Sequence, residues 1–71
     1  MVYVTPVYVS GTKRWSHLQI TSPEDVERLK HLCKKLGMCG RVELKQDARG
    51  VHVDITEHQR ELALRYGACE L

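Results

Sequence analysis

Two histidines and one aspartate occur where strand alternation would bring their side chains together. His17 lies in one segment in which apolar and polar residues alternate, and His52 and Asp54 lie in another. Such alternation is typical of a strand with one face on the core. If Leu18 faces the core, all three polar side chains point from the opposite face of one sheet. A register slip of one residue would reverse that arrangement.

This donor set is suited to two kinds of chemistry. Two imidazoles and a carboxylate can hold a divalent metal. Alternatively, His17 and His52 can act as acid and base of a small hydrolase or phosphodiesterase, with Asp54 orienting one of them. The chain has neither a Gly-rich phosphate loop nor a G-x-S-x-G motif. The presence of either motif would have supported an enzymatic interpretation. We therefore expect neither catalysis nor a cofactor, and keep the metal and the hydrolase as alternatives.

Aromatic and basic residues are predicted on the same face. A tight turn at Gly11 would place Tyr8 opposite Trp15, and Arg41 from a later strand would stand beside them. Rings and cations on a sheet stack on and neutralise nucleotides or single-stranded nucleic acid. A solvated polar face is the simpler alternative, but an exposed Trp indicates a partner or ligand. The predicted binding residues are Tyr8, Trp15, His17, Arg41, His52 and Asp54.

The elements that position these residues are predicted in the order ββαββα. Strands are expected at 2–9, 13–20, 41–46 and 51–55, and a short fifth strand at 68–71. Ser22 and Thr56 are predicted N-caps of the two helices, and Gly37 and Gly67 their ends. We expect an α+β sandwich with two helices on one face of a four-stranded, mostly antiparallel sheet. The strand order one-two-four-three would make it a permuted ferredoxin-like fold.

Helical spacing predicts which side chains of the helices are buried. In the first helix they are Val26, Leu29, Leu32, Cys33 and Leu36, and in the second Leu62, Ala63 and Tyr66. The basic residues of the first helix are interpreted as its solvated side. They are Arg28, Lys30, Lys34 and Lys35.

Length and composition indicate one domain spanning residues 1–71. The net charge of +2 neither demands nor excludes nucleic acid. Cys33, Cys39 and Cys69 are interpreted as free thiols in the reducing cytoplasm, with structural zinc as the alternative. The apolar N-terminal run is too short for a membrane span and lacks the basic residues of a signal peptide.

Several short segments resemble one family when they are taken together and in order. The family is the uncharacterised bacterial and phage family called domain of unknown function four thousand and thirty-one. The segments are Val2-Tyr3-Val4, Trp15-Ser16-His17-Leu18, Leu36-Gly37, His52-Val53-Asp54-Ile55-Thr56, Arg60 and Tyr66-Gly67-Ala68-Cys69-Glu70-Leu71.

The resemblance implies a compact intracellular domain, often encoded by phages or mobile elements, and no assigned activity. His17, His52 and Asp54 match the polar motif positions of the family. Two positions depart from it, since Thr5 replaces an Asp and Val53 replaces a Tyr. If that Asp is a metal ligand in relatives, this chain lacks it, and binding is favoured over metal chemistry.

The sequence therefore predicts a non-enzymatic binding module. Its open sheet face would engage a nucleotide-like small molecule, nucleic acid or a host defence protein, and no membrane. Homo-oligomerisation through an exposed aromatic residue or an edge strand is also predicted, because so thin a core gains from it.

Overall fold

The computed structural model describes residues 1–38, 44–47 and 50–71, which form a small α+β domain with a mixed sheet. A 3-10 turn, Pro23–Asp25, leads into the first helix. The helices are α1 (Val26–Lys35) and α2 (Glu57–Arg65). The strands are β1 (Val2–Val4), β2 (Tyr8–Ser10), β3 (Lys13–Ile20), β4 (Lys45–Asp47), β5 (Gly50–Thr56) and β6 (Cys69–Glu70).

The long strand β3 organises the sheet. Its neighbours on one side are β1 and β2, which pair with its two halves, and on the other side it pairs with β5. The strand order is β4-β5-β3-β1-β6, and the β1–β6 pair is parallel. Among the described residues the sheet thus has six strands, and both the strand count and the order differ from the predicted four-stranded sheet.

The first predicted strand is divided at Pro6. A proline has no N–H to donate to the ladder, so regular pairing stops there. Thr5 ties this break to β3, because its N–H donates to the His17 carbonyl over 3.0 Å and its hydroxyl accepts from the His17 N–H over 2.9 Å. The break leaves Tyr8 at the start of a separate short strand, next to the middle of β3.

The predicted turn and the predicted cap of the second helix are present. Gly11 has a φ of +64°, and Thr12, the next residue of the turn, does not have a positive φ. A positive φ at the first central position alone is the pattern of a type II′ turn. Thr56 and Gln59 form a reciprocal capping box at the start of α2. The first helix begins differently from the prediction. Ser22 caps the 3-10 turn, and the Asp25 carboxylate pairs with the amino group of Met1.

One apolar core joins both helices to the same face of the sheet. Leu18 and Ile55 are fully buried on the sheet side, and Leu29 and Ala63 on the helix side. The prediction for Tyr66 is wrong, since this residue follows the end of α2 and is 50% exposed. The remaining members of the core are Val4, Ile20, Leu32, Cys33, Leu36 and Val53.

Two of the three cysteines are described, and both are free thiols. Cys33 is buried in α1, and burial raises the pKa of its thiol above the ordinary value. Cys69 is half-buried in β6, and Cys39 lies outside the described residues. In the described part of the chain, neither helix has the length and apolar character needed to cross a membrane.

Candidate functional site

The pairing of β3 with β5 places the predicted residues on the face of the sheet away from the helices. His17 lies directly opposite Asp54, and Gln19 directly opposite His52. The intervening pair, Leu18 and Val53, is buried in the core. Because successive side chains of a strand point to opposite faces, the four polar residues share the other face. The predicted alternation is therefore confirmed.

Neighbouring strands bring further side chains to this open face. Tyr8 pairs with Trp15 across the β2–β3 hairpin, as predicted. Lys45 of β4 pairs with His52. Arg41, the remaining predicted binding residue, lies outside the described residues.

Five of these side chains form a connected polar cluster, which we call the open-face network. It comprises Tyr8, His17, Lys45, His52 and Asp54. The hydroxyl of Tyr8 and Nε2 of His17 share a hydrogen bond of 3.2 Å. The same Nε2 lies 3.0 Å from Oδ1 of Asp54. The ammonium of Lys45 donates to the other carboxylate oxygen, Oδ2, over 2.8 Å. The network therefore crosses four strands of the sheet.

The two imidazoles of the network are neighbours. The ring centroids of His17 and His52 are 4.9 Å apart with an interplanar angle of 59°, and those of Tyr8 and His17 are 5.1 Å apart. His52 is only 6% exposed. A histidine so buried on a bare sheet face is covered by its neighbours, so the network is packed as well as hydrogen-bonded.

The network keeps Asp54 ionised. The hydrogen bond from Lys45 is the main cause of a lowered pKa for this carboxyl, and the positive charge of Lys45 and the two imidazoles add to it. Partial burial opposes the shift without reversing it. Asp54 is therefore an anionic hydrogen-bond acceptor, and a carboxylate available as a ligand, across the neutral pH range.

Trp15 is less accessible than the sequence suggested. It is half-buried, between Tyr8 on β2 and Thr56 on β5. The ammonium of Lys13 lies 5.9 Å from the centroid of the indole ring. Trp15 is therefore only partly exposed, where the sequence predicted an exposed tryptophan. Tyr8, at 38% exposed, is the more accessible ring on this face.

A shallow pocket opens beside the network where the first strand is divided. Its walls are Thr5, Pro6, Tyr8 and His17, and its volume is about 320 Å³. Thr5 and Pro6 were not predicted to contribute. The signal was Pro6 itself, since the break in strand pairing at this residue lies beside Tyr8 and His17.

Gln19 also lies on this face, opposite His52, and it is not among the predicted binding residues. It is 5% exposed, and its Oε1 atom is buried with no hydrogen-bond partner in the described structure. Buried acceptors are nearly always satisfied, so an unsatisfied one beside His52 requires an explanation. The sequence does not indicate this burial, because a Gln among alternating polar residues of a strand is normally expected to be exposed to solvent.

A larger concavity lies on the other side of the molecule, along α1. We call it the basic groove. Its volume is about 710 Å³. Its described contacts include Lys30 Nζ to Glu27 Oε1 at 3.8 Å and Lys35 Nζ at 5.6 Å from the Tyr66 ring centroid. Its basic and aromatic lining residues are Arg28, Lys30, His31, Lys34, Lys35 and Tyr66.

No family model, no curated protein and no solved structure matches this chain. The resemblance to the bacterial and phage family therefore stays a prediction.

Proposed function

We propose that this chain is a small binding module that takes a nucleotide-like ligand on its open sheet face. The observation that carries the proposal is the pocket in which Tyr8 and His17 stand side by side, with ring centroids 5.1 Å apart. A planar base can stack on an exposed tyrosine ring while its polar edge meets an imidazole. This combination is what supports a ring-containing ligand.

The size and the charge of the site support a small ligand of this kind. A volume of about 320 Å³ accommodates a single base and sugar rather than a folded partner. Lys13 lies over Trp15, the residue that pairs with Tyr8 of the pocket, and its ammonium would neutralise a phosphate. Nucleic acid and a host defence protein, the other partners predicted from the sequence, remain predictions, as do homo-oligomerisation and a cytoplasmic location.

The hydrolase alternative is weaker on geometric grounds. In this chain Asp54 and Tyr8 both contact Nε2 of His17. A substrate that exchanged a proton with this nitrogen would have to displace both residues. We therefore favour binding without turnover.

Calorimetric titration with adenosine monophosphate tests the proposal. Tyr8→Ala should weaken binding by about 1–3 kcal/mol, the usual contribution of stacking one base on an aromatic ring. Tyr66→Ala is the matched control, because Tyr66 is 50% exposed on the opposite side of the molecule. Its affinity should equal that of the wild type. Equal loss in both variants, or no binding to the wild type, would contradict the proposal.

The same titration separates binding from catalysis. His17→Ala should weaken binding less than Tyr8→Ala, because stacking contributes more than one partly exposed hydrogen bond. If the chain instead turns over a phosphodiester and His17→Ala abolishes that turnover, the hydrolase alternative is correct.

A further inference from the structure

We propose that His17, His52 and Asp54 form a binding site for one divalent transition-metal ion of the zinc or cobalt(II) type. Each residue offers one nitrogen or oxygen atom, and these atoms all lie within 4.8 Å of one another. The inference goes beyond the proposed ligand and does not rest on it, since it concerns the metal alone.

The distances within the cluster suit a shared metal. Two ligands on one metal lie about 3.0–4.2 Å apart when each bond is about 2.1 Å long. His17 Nε2 and Asp54 Oδ1 are already 3.0 Å apart, the separation of adjacent ligands in a right-angled arrangement. Binding of one ion requires His52 to approach the other two ligands, since the widest separation within the cluster is up to 4.8 Å.

The donor chemistry selects a transition metal. Two imidazoles and one carboxylate suit zinc, iron, cobalt or nickel, whereas magnesium and calcium take mostly oxygen ligands. Lys45 holds Oδ2 of Asp54 over 2.8 Å and so leaves Oδ1 directed at His17. Carboxylates that bind metals are usually held in this way, with one oxygen hydrogen-bonded to the protein and the other directed at the metal.

Gln19 provides an independent observation. Its buried Oε1 has no hydrogen-bond partner in the described structure, and its backbone lies directly opposite His52. Three protein ligands leave coordination positions for water. A metal-bound water would donate to this buried oxygen and satisfy it. One ion would thus bind the three ligands and, through its water, satisfy the buried oxygen of Gln19.

Access to two of the three ligands is open, whereas His52 is buried. The side chains of Asp54 and His17 are 35% and 13% exposed. An ion from solvent therefore reaches both ligands without opening the core.

Titration of the full chain with Co²⁺, followed by visible absorption and calorimetry, tests the inference. We expect one equivalent to bind. Asp54→Asn and His17→Gln should each weaken binding at least about tenfold. The matched controls are His31→Gln and His58→Gln, which alter exposed histidines of α1 and α2. Both should bind as the wild type does. Absence of saturable binding, or equal loss in the controls, would overturn the inference.

A second measurement needs no variant and holds even if Asp54→Asn folds poorly. Substoichiometric Co²⁺ should broaden the imidazole proton resonances of His17 and His52 before those of His31 and His58. Cys69→Ser should leave the affinity unchanged. Preferential broadening at His31 or His58, or loss of binding in Cys69→Ser, would assign the metal elsewhere and overturn the inference.

Discussion

The open-face network and the basic groove are two polar regions in the described part of the molecule, and they are built differently. The network draws its side chains from four strands. Its hydrogen bonds and ion pairs form a continuous path from Lys45 through Asp54 and His17 to Tyr8. The groove draws its cations from one exposed helix face. It is the larger concavity, at about 710 Å³ against about 320 Å³ for the pocket beside the network.

We infer from this comparison that convergence of side chains is a better guide to a site than volume or charge. Cations spaced along a helix remain separated by solvent, and exposed ion pairs such as that of Lys30 with Glu27 contribute little. In the network, burial of His52 and the shared carboxylate of Asp54 make each group depend on the others. Such dependence costs desolvation, which is why a cluster of this kind calls for a functional explanation.

Truncating a buried ring of the network should have the largest effect on folding. His52→Ala should lower the free energy of unfolding by about 1–3 kcal/mol, because it removes a ring that is 6% exposed and packs on His17. His31→Ala, the matched change in the groove, should stay within about 0.5 kcal/mol of the wild type. Urea unfolding measures both. Equal costs would remove the distinction between the two regions.

Neutralising the shared carboxylate should have an intermediate effect. Asp54→Asn should cost about 1 kcal/mol at neutral pH, a modest value because the side chain is 35% exposed. Glu27→Gln is the control, since its side chain is 88% exposed and lies 3.8 Å from Lys30. That change should cost less than about 0.5 kcal/mol by the same unfolding assay.

The cost of Asp54→Asn should depend on pH in a defined direction. The fold lowers the pKa of this carboxyl below its ordinary value of 3.8. The ionised group therefore stabilises the fold above pH 3.8, and that contribution is lost as pH falls through the lowered pKa. The wild type and Asp54→Asn should thus converge in stability at acid pH. A difference that grows on acidification would contradict the lowered pKa.

Removing charge from the groove should have the smallest effect. The double change Lys34→Gln and Lys35→Gln should leave stability within about 0.5 kcal/mol, because both side chains lie on the solvated face of α1. Adenosine monophosphate should bind this variant with the affinity of the wild type. If calorimetry instead shows binding lost in this variant and kept in Tyr8→Ala, the groove is the site.

The face of the sheet on which the site residues lie was predictable from the sequence. Alternation around Leu18 and Val53 has a period of two, so once those residues are buried, His17, His52 and Asp54 must share the other face. The capping pair of Thr56 and Gln59 was also readable, since it depends on local spacing alone.

What the sequence left open depends on contacts between distant segments. The division at Pro6 gave two strands in place of one and opened the pocket. Trp15 is half-buried and lies between Tyr8 and Thr56, whose strands only the sheet brings to either side of it. Lys45 reaches Asp54 across the β4–β5 pair, and the burial of Gln19 follows from packing that periodicity does not report. Arg41 lies outside the described residues, so its predicted role in binding stays a prediction.

Amide chemical-shift mapping during titration with adenosine monophosphate tests the central claim most directly, because one spectrum reports both regions. The account predicts that the largest shifts occur on β2 and β3, at Tyr8, Trp15 and His17, and that they saturate together. Shifts confined to α1 and Tyr66, or no saturable shift at all, would contradict the assignment of the open sheet face as the binding site.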